Sequence, residues 1–229
     1  METRIRAGGL NMGAWLLLAV ALGDPVAIPA SEALASYRID RFEVSIAQFE
    51  AFAAGGGYAN PAHWSEPGRA WLQTHPKGAG AGVRASGRSA DHPVVAVTRF
   101  EAEAYCASQG GRLPTGAEWG HAVCASESSP YPWGEGVDRE VPWFAEGKYG
   151  RIESVATALA ESGAANASPF GLVHGAGNVW EWTADTFGES GSLRGGSFMN
   201  LPSYCTCRHE ERARVEEARL TVGFRCAWP

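Results

Sequence analysis

Residues Tyr37-Arg38-Ile39-Asp40-Arg41-Phe42-Glu43-Val44 alternate apolar and polar, the period of a strand with one buried face. The period then lengthens. Ile46, Phe49 and Phe52 fall on one helical face, Ser45 and Gln48 stand at capping-box spacing, and Gly55-Gly56-Gly57 ends the run. His92-Pro93-Val94-Val95-Ala96-Val97 predicts a short buried strand. Thr98 with Glu101 and Thr115 with Glu118 repeat the capping box. They predict one helix running to Gly110-Gly111 and another passing through Trp119 to about Cys124. Between residues 60 and 88 no period persists and Gly, Pro and Trp are frequent, so irregular chain is expected. Gly78-Ala79-Gly80-Ala81-Gly82 lacks the following Gly-Lys-Ser/Thr of a phosphate cradle and reads as a loop. From residue 129 onward the pattern predicts loops and short strands. The run from His209 to Arg214 carries both charge signs and reads as a solvated loop face, and Val222-Gly223-Phe224-Arg225-Cys226 as the closing strand. The sum is an α+β domain with few helices, short antiparallel strands and long connections.

The N-terminus has a different character. Arg4 and Arg6 precede an apolar run at residues 14–22, which is too short to span a bilayer. Small residues follow, and Ala33-Leu34-Ala35 fits a cleavage site. The expected organisation is a secretory signal peptide at 1–35 and a mature domain at 36–229, secreted or periplasmic, with no membrane span after cleavage. Pro25 and Pro29 argue against a continuous buried helix there.

Composition narrows the classes. A chain of 229 residues suits one domain. Hydrophobic residues at 45% supply a core. A net charge of −6 offers no general attraction to nucleic acid or anionic membrane. None of the six His forms H-E-x-x-H, and Ser197 lacks a Gly-x-Ser-x-Gly elbow, which excludes the zincin and serine-hydrolase patterns. Five Cys leave one thiol over in an oxidising compartment.

Several segments together carry a resemblance. They include Ala104-Tyr105-Cys106, Gly111-Arg112-Leu113-Pro114-Thr115-Gly116-Ala117-Glu118-Trp119, Tyr131-Pro132-Trp133-Gly134, Phe170-Gly171-Leu172, Gly177-Asn178-Val179-Trp180-Glu181-Trp182, Arg194-Gly195-Gly196-Ser197-Phe198 and Gly223-Phe224-Arg225-Cys226. In this order the chain resembles the formylglycine-generating enzyme, or sulfatase-modifying factor, family over residues 37–228. The resemblance implies a variant of the C-type lectin fold, low in regular structure and carrying structural calcium. It implies a site at Ser197, Trp180, Tyr204 and Cys205. In the family's enzymes copper(I) between two thiolates oxidises a sulfatase cysteine, and soft thiolates suit that ion. Cys205 falls on the second copper cysteine, whereas Asn200 stands where the first is expected.

The resemblance also implies two disulfides, Cys106–Cys226 and Cys124–Cys207, leaving Cys205 as the extra thiol. A different reading of Cys205-Thr206-Cys207 places both thiols on one strand face, joined by His209 as a soft-metal site. Gly177, Val179 and Glu181 match family calcium ligands, with His174 where a further oxygen ligand is expected. Three functions follow from the resemblance: a non-oxidase whose cleft binds a peptide or partner protein, a formylglycine-generating oxidase with a variant copper site, or another oxidative maturation enzyme.

Overall fold

The computed structural model describes residues 25–79, 89–124, 126, 129–136 and 167–229. The apolar run at 14–22 and most of the Gly-rich stretch at 78–82 lie outside them. Among the described residues, two small sheets and four α-helices surround two main cores. Strands β1 (Val26–Ile28), β2 (Tyr37–Ile39) and β7 (Ala227–Trp228) form an antiparallel sheet in the order β1-β2-β7. Strands β3 (Trp180–Phe187), β4 (Ser190–Arg194), β5 (Glu211–Arg214) and β6 (Val222–Gly223) form the second in the order β5-β4-β3-β6, with β6 parallel to β3.

All three capping boxes form. They open α1 (Ile46–Ala54), α3 (Arg99–Ser108) and α4 (Gly116–Val123). In each, the cap hydroxyl accepts the N–H three residues on, and the Gln or Glu side chain there accepts the cap's own N–H. Helix α2 (Glu66–Thr74) occupies chain expected to be irregular. Ser65 caps it and Pro67 sits in its first turn, where a missing N–H is harmless. Trp71 and Gly68 face inward, and the Gly lets the helix approach Phe100.

The expected strand at 37–44 ends at Ile39. Beyond it Val44 donates to the Phe224 carbonyl and accepts from Val94 N–H, at 2.9 and 2.8 Å. The expected strand at 92–97 is buried from Pro93 onward and held by single bonds, with one bridge between Ser45 and Pro93, and Ala96 interrupts it with a φ of 57°. The closing strand is broken into β6 and β7 around Phe224 and Arg225. The charged run at 209–214 is not a loop: Glu211–Arg214 is the edge strand β5, with Ala213 buried and Arg212 and Arg214 exposed. Charges on the outer face of an edge strand discourage further pairing, so the same pattern serves strand and loop.

The larger core gathers Phe49, Phe52, Trp64, Trp71, Phe100, Tyr105 and Phe224 between α1, α2, α3 and the second sheet. The smaller one packs Ile28, Ile39, Trp119, Val123 and Leu172 between the first sheet and α4. Disulfides Cys106–Cys226 and Cys124–Cys207 tie α3 and the end of α4 to C-terminal chain, with Cα separations of 5.5 and 6.0 Å. These are the pairings the resemblance implied.

Strand β1 lies within the segment assigned above to the signal peptide. Val26, Ala27 and Ile28 pair in register with Ile39, Arg38 and Tyr37, and Ile28 is 1% exposed. Strand β1 is thus hydrogen-bonded into the first sheet. No helix among the described residues is long and apolar enough to cross a membrane.

Candidate functional site

The segment from Gly195 to Cys205 leaves β4 and folds back as a tight loop. Gly195 and Gly196 both take positive φ, 92° and 75°, a conformation open to Gly without strain. A Cβ at 196 would come within 2.9 Å of the Cys205 Cα, so this Gly also permits the close approach of Cys205. The short 3₁₀ turn Pro202–Tyr204 then delivers Cys205 inward and Tyr204 outward.

Within this loop Asn200 has a structural partner. Its Oδ1 accepts both the Ser197 hydroxyl, at 2.6 Å, and the Ser197 N–H, at 3.0 Å. The Asn200 N–H returns to the Ser197 carbonyl at 2.9 Å. Ser197 is 1% exposed, so its hydroxyl and the Asn200 amide satisfy each other inside the loop. Cys205 is fully buried against Tyr131 and Ala176, with Trp133 stacked on Tyr131. Its Sγ points to the Ser197 carbonyl at 3.8 Å. Burial pushes the thiol up to about 12, so the nucleophilic thiolate is scarce at neutral pH.

Ser197, Asn200 and Cys205 thus stand together, as the resemblance implied. Tyr204 directly precedes Cys205, and Trp180 approaches Tyr204 through a third ring. His209 lies between the two, with centroids 5.8 Å from Trp180 and 5.1 Å from Tyr204. Trp180 is 3% exposed and belongs to the larger core, whereas Tyr204 is 45% exposed. Met199 and Leu201 are exposed on the same loop. Sequence reasoning missed Tyr131, whose hydroxyl donates to the Pro202 carbonyl at 3.2 Å and props the turn that carries Cys205. Only the Tyr-Pro-Trp-Gly segment signalled it.

The donor sets do not fit the metals of the resemblance. Copper(I) requires a pair of soft ligands. Here one is a buried neutral thiol and the other a hard amide oxygen already bonded to Ser197. The Cys205-Thr206-Cys207 alternative fails because Cys207 is bonded to Cys124 and the segment is not a strand.

Calcium at Gly177, Val179 and Glu181 meets a similar obstacle. Both Glu181 carboxylate oxygens are taken: Arg225 Nε at 2.6 Å, Arg225 Nη2 at 2.7 Å and Trp119 Nε1 at 2.8 Å. The Gly177 N–H bonds the Gly195 carbonyl, which joins this segment to the Ser197 loop. His174 lies not on a cation but against Glu43, Nδ1 to Oε2 3.0 Å, and Asn178 Nδ2 reaches Glu43 Oε1 at 2.8 Å. Arg225 places a fixed positive charge against the Glu181 carboxylate. Burial works against the Glu43 charge, but His174, Arg225 and Asn178 together hold this carboxyl below its usual range.

A groove of about 740 Å³ lies elsewhere, along Ser31, Leu34, His121, Cys124, Arg194 and Arg208. Its wall at residues 31–34 comes from the segment expected to be cleaved.

Known proteins bear on this geometry. The sulfatase-modifying factor enzyme 1-like domain matches residues 2–229. Mouse inactive C-alpha-formylglycine-generating enzyme 2 is 33% identical over 182 residues, covering 72% of this chain and 57% of that protein. The formylglycine-generating enzyme of Thermomonospora curvata is 31% identical over 257 residues, covering 85% and 82%. The chain spans less than two thirds of the mouse relatives' length, 57% and 65%. Among solved structures, Treponema denticola variable protein 1 superposes with a TM-score of 0.60 at 18% identity, covering 90% of this chain and 91% of its own. PvdO from Pseudomonas aeruginosa gives 0.58 at 17% identity, covering 90% of each. The architecture is the formylglycine-generating-enzyme variant of the C-type lectin fold, and the chain belongs to the sulfatase-modifying factor family.

Proposed function

We propose that this protein is an exported, non-oxidase member of its family that uses the loop around Ser197, Tyr204 and Cys205 to bind a peptide or partner protein. The observation that carries the reading is the pairing of Asn200 with Ser197. A copper site needs a second thiolate at that place, and the amide there is consumed in holding the loop. Burial of Cys205 supports it further, because a thiol kept protonated and covered is a poor ligand. Exposed Met199, Leu201 and Tyr204 supply an apolar rim suited to a peptide. A similarity to a mouse relative named as inactive is consistent with this. Export is supported by two disulfides in a chain with a leader-like N-terminus.

The test is a Cu(I) titration of the purified, disulfide-bonded protein, read by thiolate-to-copper absorption against a competing chelator. The expected result is no stoichiometric binding. Stoichiometric binding, together with conversion of a sulfatase-type cysteine peptide to formylglycine, overturns the reading in favour of a genuine oxidase. The same peptide, labelled and followed by fluorescence anisotropy, measures the binding role directly.

A further inference from the structure

We infer that the leader ends upstream of Val26, at the Gly23–Asp24 bond, and that Ala33-Leu34-Ala35 is not the processing site. The inference rests on the export reading above and corrects the boundary that small residues alone suggest.

The first argument is packing. Val26–Ile28 is a hydrogen-bonded strand of the folded domain, in register with β2 along its whole length. Ile28 is 1% exposed and packs with Tyr37, Ile39, Trp119 and Leu172. Cleavage after Ala35 removes this strand. It exposes one edge of β2 and opens the smaller core beside Trp119, which is itself fully buried.

The second is local geometry. Ser31 and Leu34 close a turn, with Ser31 N–H to the Leu34 carbonyl at 2.8 Å and Leu34 N–H to the Ser31 Oγ at 3.2 Å. Ala33 and Leu34 line the groove against α4. Leu34, the central residue of the Ala-x-Ala segment, is thus held by this turn in the folded protein.

The third is distance along the chain. Signal peptides run about 15–30 residues and end at small residues soon after the apolar run. Ala33 stands well beyond Leu22, the end of the apolar run. Ala21-Leu22-Gly23 places small residues one and three positions before the Gly23–Asp24 bond. Hydrolysis there adds one water across the peptide bond and leaves Asp24-Pro25-Val26 as the new N-terminus, with β1 intact.

The experiment expresses the full chain with its own leader and reads location, intact mass and N-terminal sequence. The expected product is exported and starts at Asp24. An exported product starting at Ser36 overturns this inference and leaves the export reading standing. A chain found only inside the cell, beginning at Met1, overturns both. As a second measurement, chains 24–229 and 36–229 are each refolded oxidatively. The shorter is expected to melt about 10 °C lower or to yield no soluble product. Equal melting temperatures overturn the structural argument.

Discussion

Glu181→Gln tests the centre of the fold. Arg225 is fully buried and each of its five N–H groups has an acceptor. Two bonds reach the Glu181 carboxylate, and the others reach the carbonyls of Asp40, Arg41 and Val173 at 3.1, 3.0 and 3.0 Å. The Gln substitution preserves volume but turns one acceptor into an N–H₂ group facing a donor. It also removes the charge that compensates the guanidinium at closest range. Leaving one partner of a buried ion pair uncompensated costs about 3–5 kcal/mol. A domain of this size loses roughly 2–4 °C per kcal/mol, so a fall near 10 °C is expected, read by circular dichroism at pH 7. Calcium provides the counter-assay. If Glu181 were a calcium ligand, a hundredfold excess over Kd would stabilise the wild type by about 2.7 kcal/mol, and the Gln variant would abolish that gain. The expected result is a large destabilisation by Glu181→Gln in the absence of calcium and no calcium-dependent rise in the wild type. A variant melting within about 2 °C of wild type, or a calcium shift that depends on Glu181, refutes the reasoning.

Four further outcomes are expected. Iodoacetamide at pH 8 should leave Cys205 unmodified in the native protein and alkylate it after unfolding; rapid native labelling would show the thiol to be reachable. Asn200→Cys should raise Cu(I) affinity if positions 200 and 205 face each other, and unchanged affinity would show that they do not. Tyr204→Ala should weaken binding of the labelled peptide by about tenfold with an unchanged melting temperature, whereas unchanged affinity would remove Tyr204 from the binding surface. Asp40 has its pKa pushed up to about 6 by burial, against the Cys226 N–H and Arg225 that favour its charge. It therefore holds its proton longer when folded, and its contribution to stability declines as pH rises from about 4 to 6. Asp40→Asn should flatten that decline in melting temperature, and an unchanged slope would refute the assignment. Glu43 acts in the opposite sense: its depressed pKa gives stability that is lost as pH falls below the ordinary carboxylate range.

The parts of this protein legible in its sequence are those encoded within a few residues. Three capping boxes, each spanning four positions, set the starts of α1, α3 and α4 because hydroxyl, carboxylate or amide and backbone N–H meet within one turn. The ordered segments carrying the family resemblance imply the disulfide pairings and put Asn200 at the place of the first copper cysteine, whereas its bond to Ser197 is visible only in the fold. Helix α2 sits in a stretch whose Gly, Pro and Trp content reads as irregular chain, and β5 reads as a loop because an edge strand's outer face is as polar as one. Tertiary structure alone decided the rest. The pairing of β1 with β2 joins chain on either side of residues 33–35, which no local pattern of small residues records. The Glu181 carboxylate meets Arg225, 44 residues away in the chain. His174 reaches Glu43 across 131 residues, and Cys205 is buried where Tyr131 and Ala176 pack with it and Gly196 allows close approach. Charge compensation and burial depend on which distant segments meet, and a local pattern carries no record of that meeting.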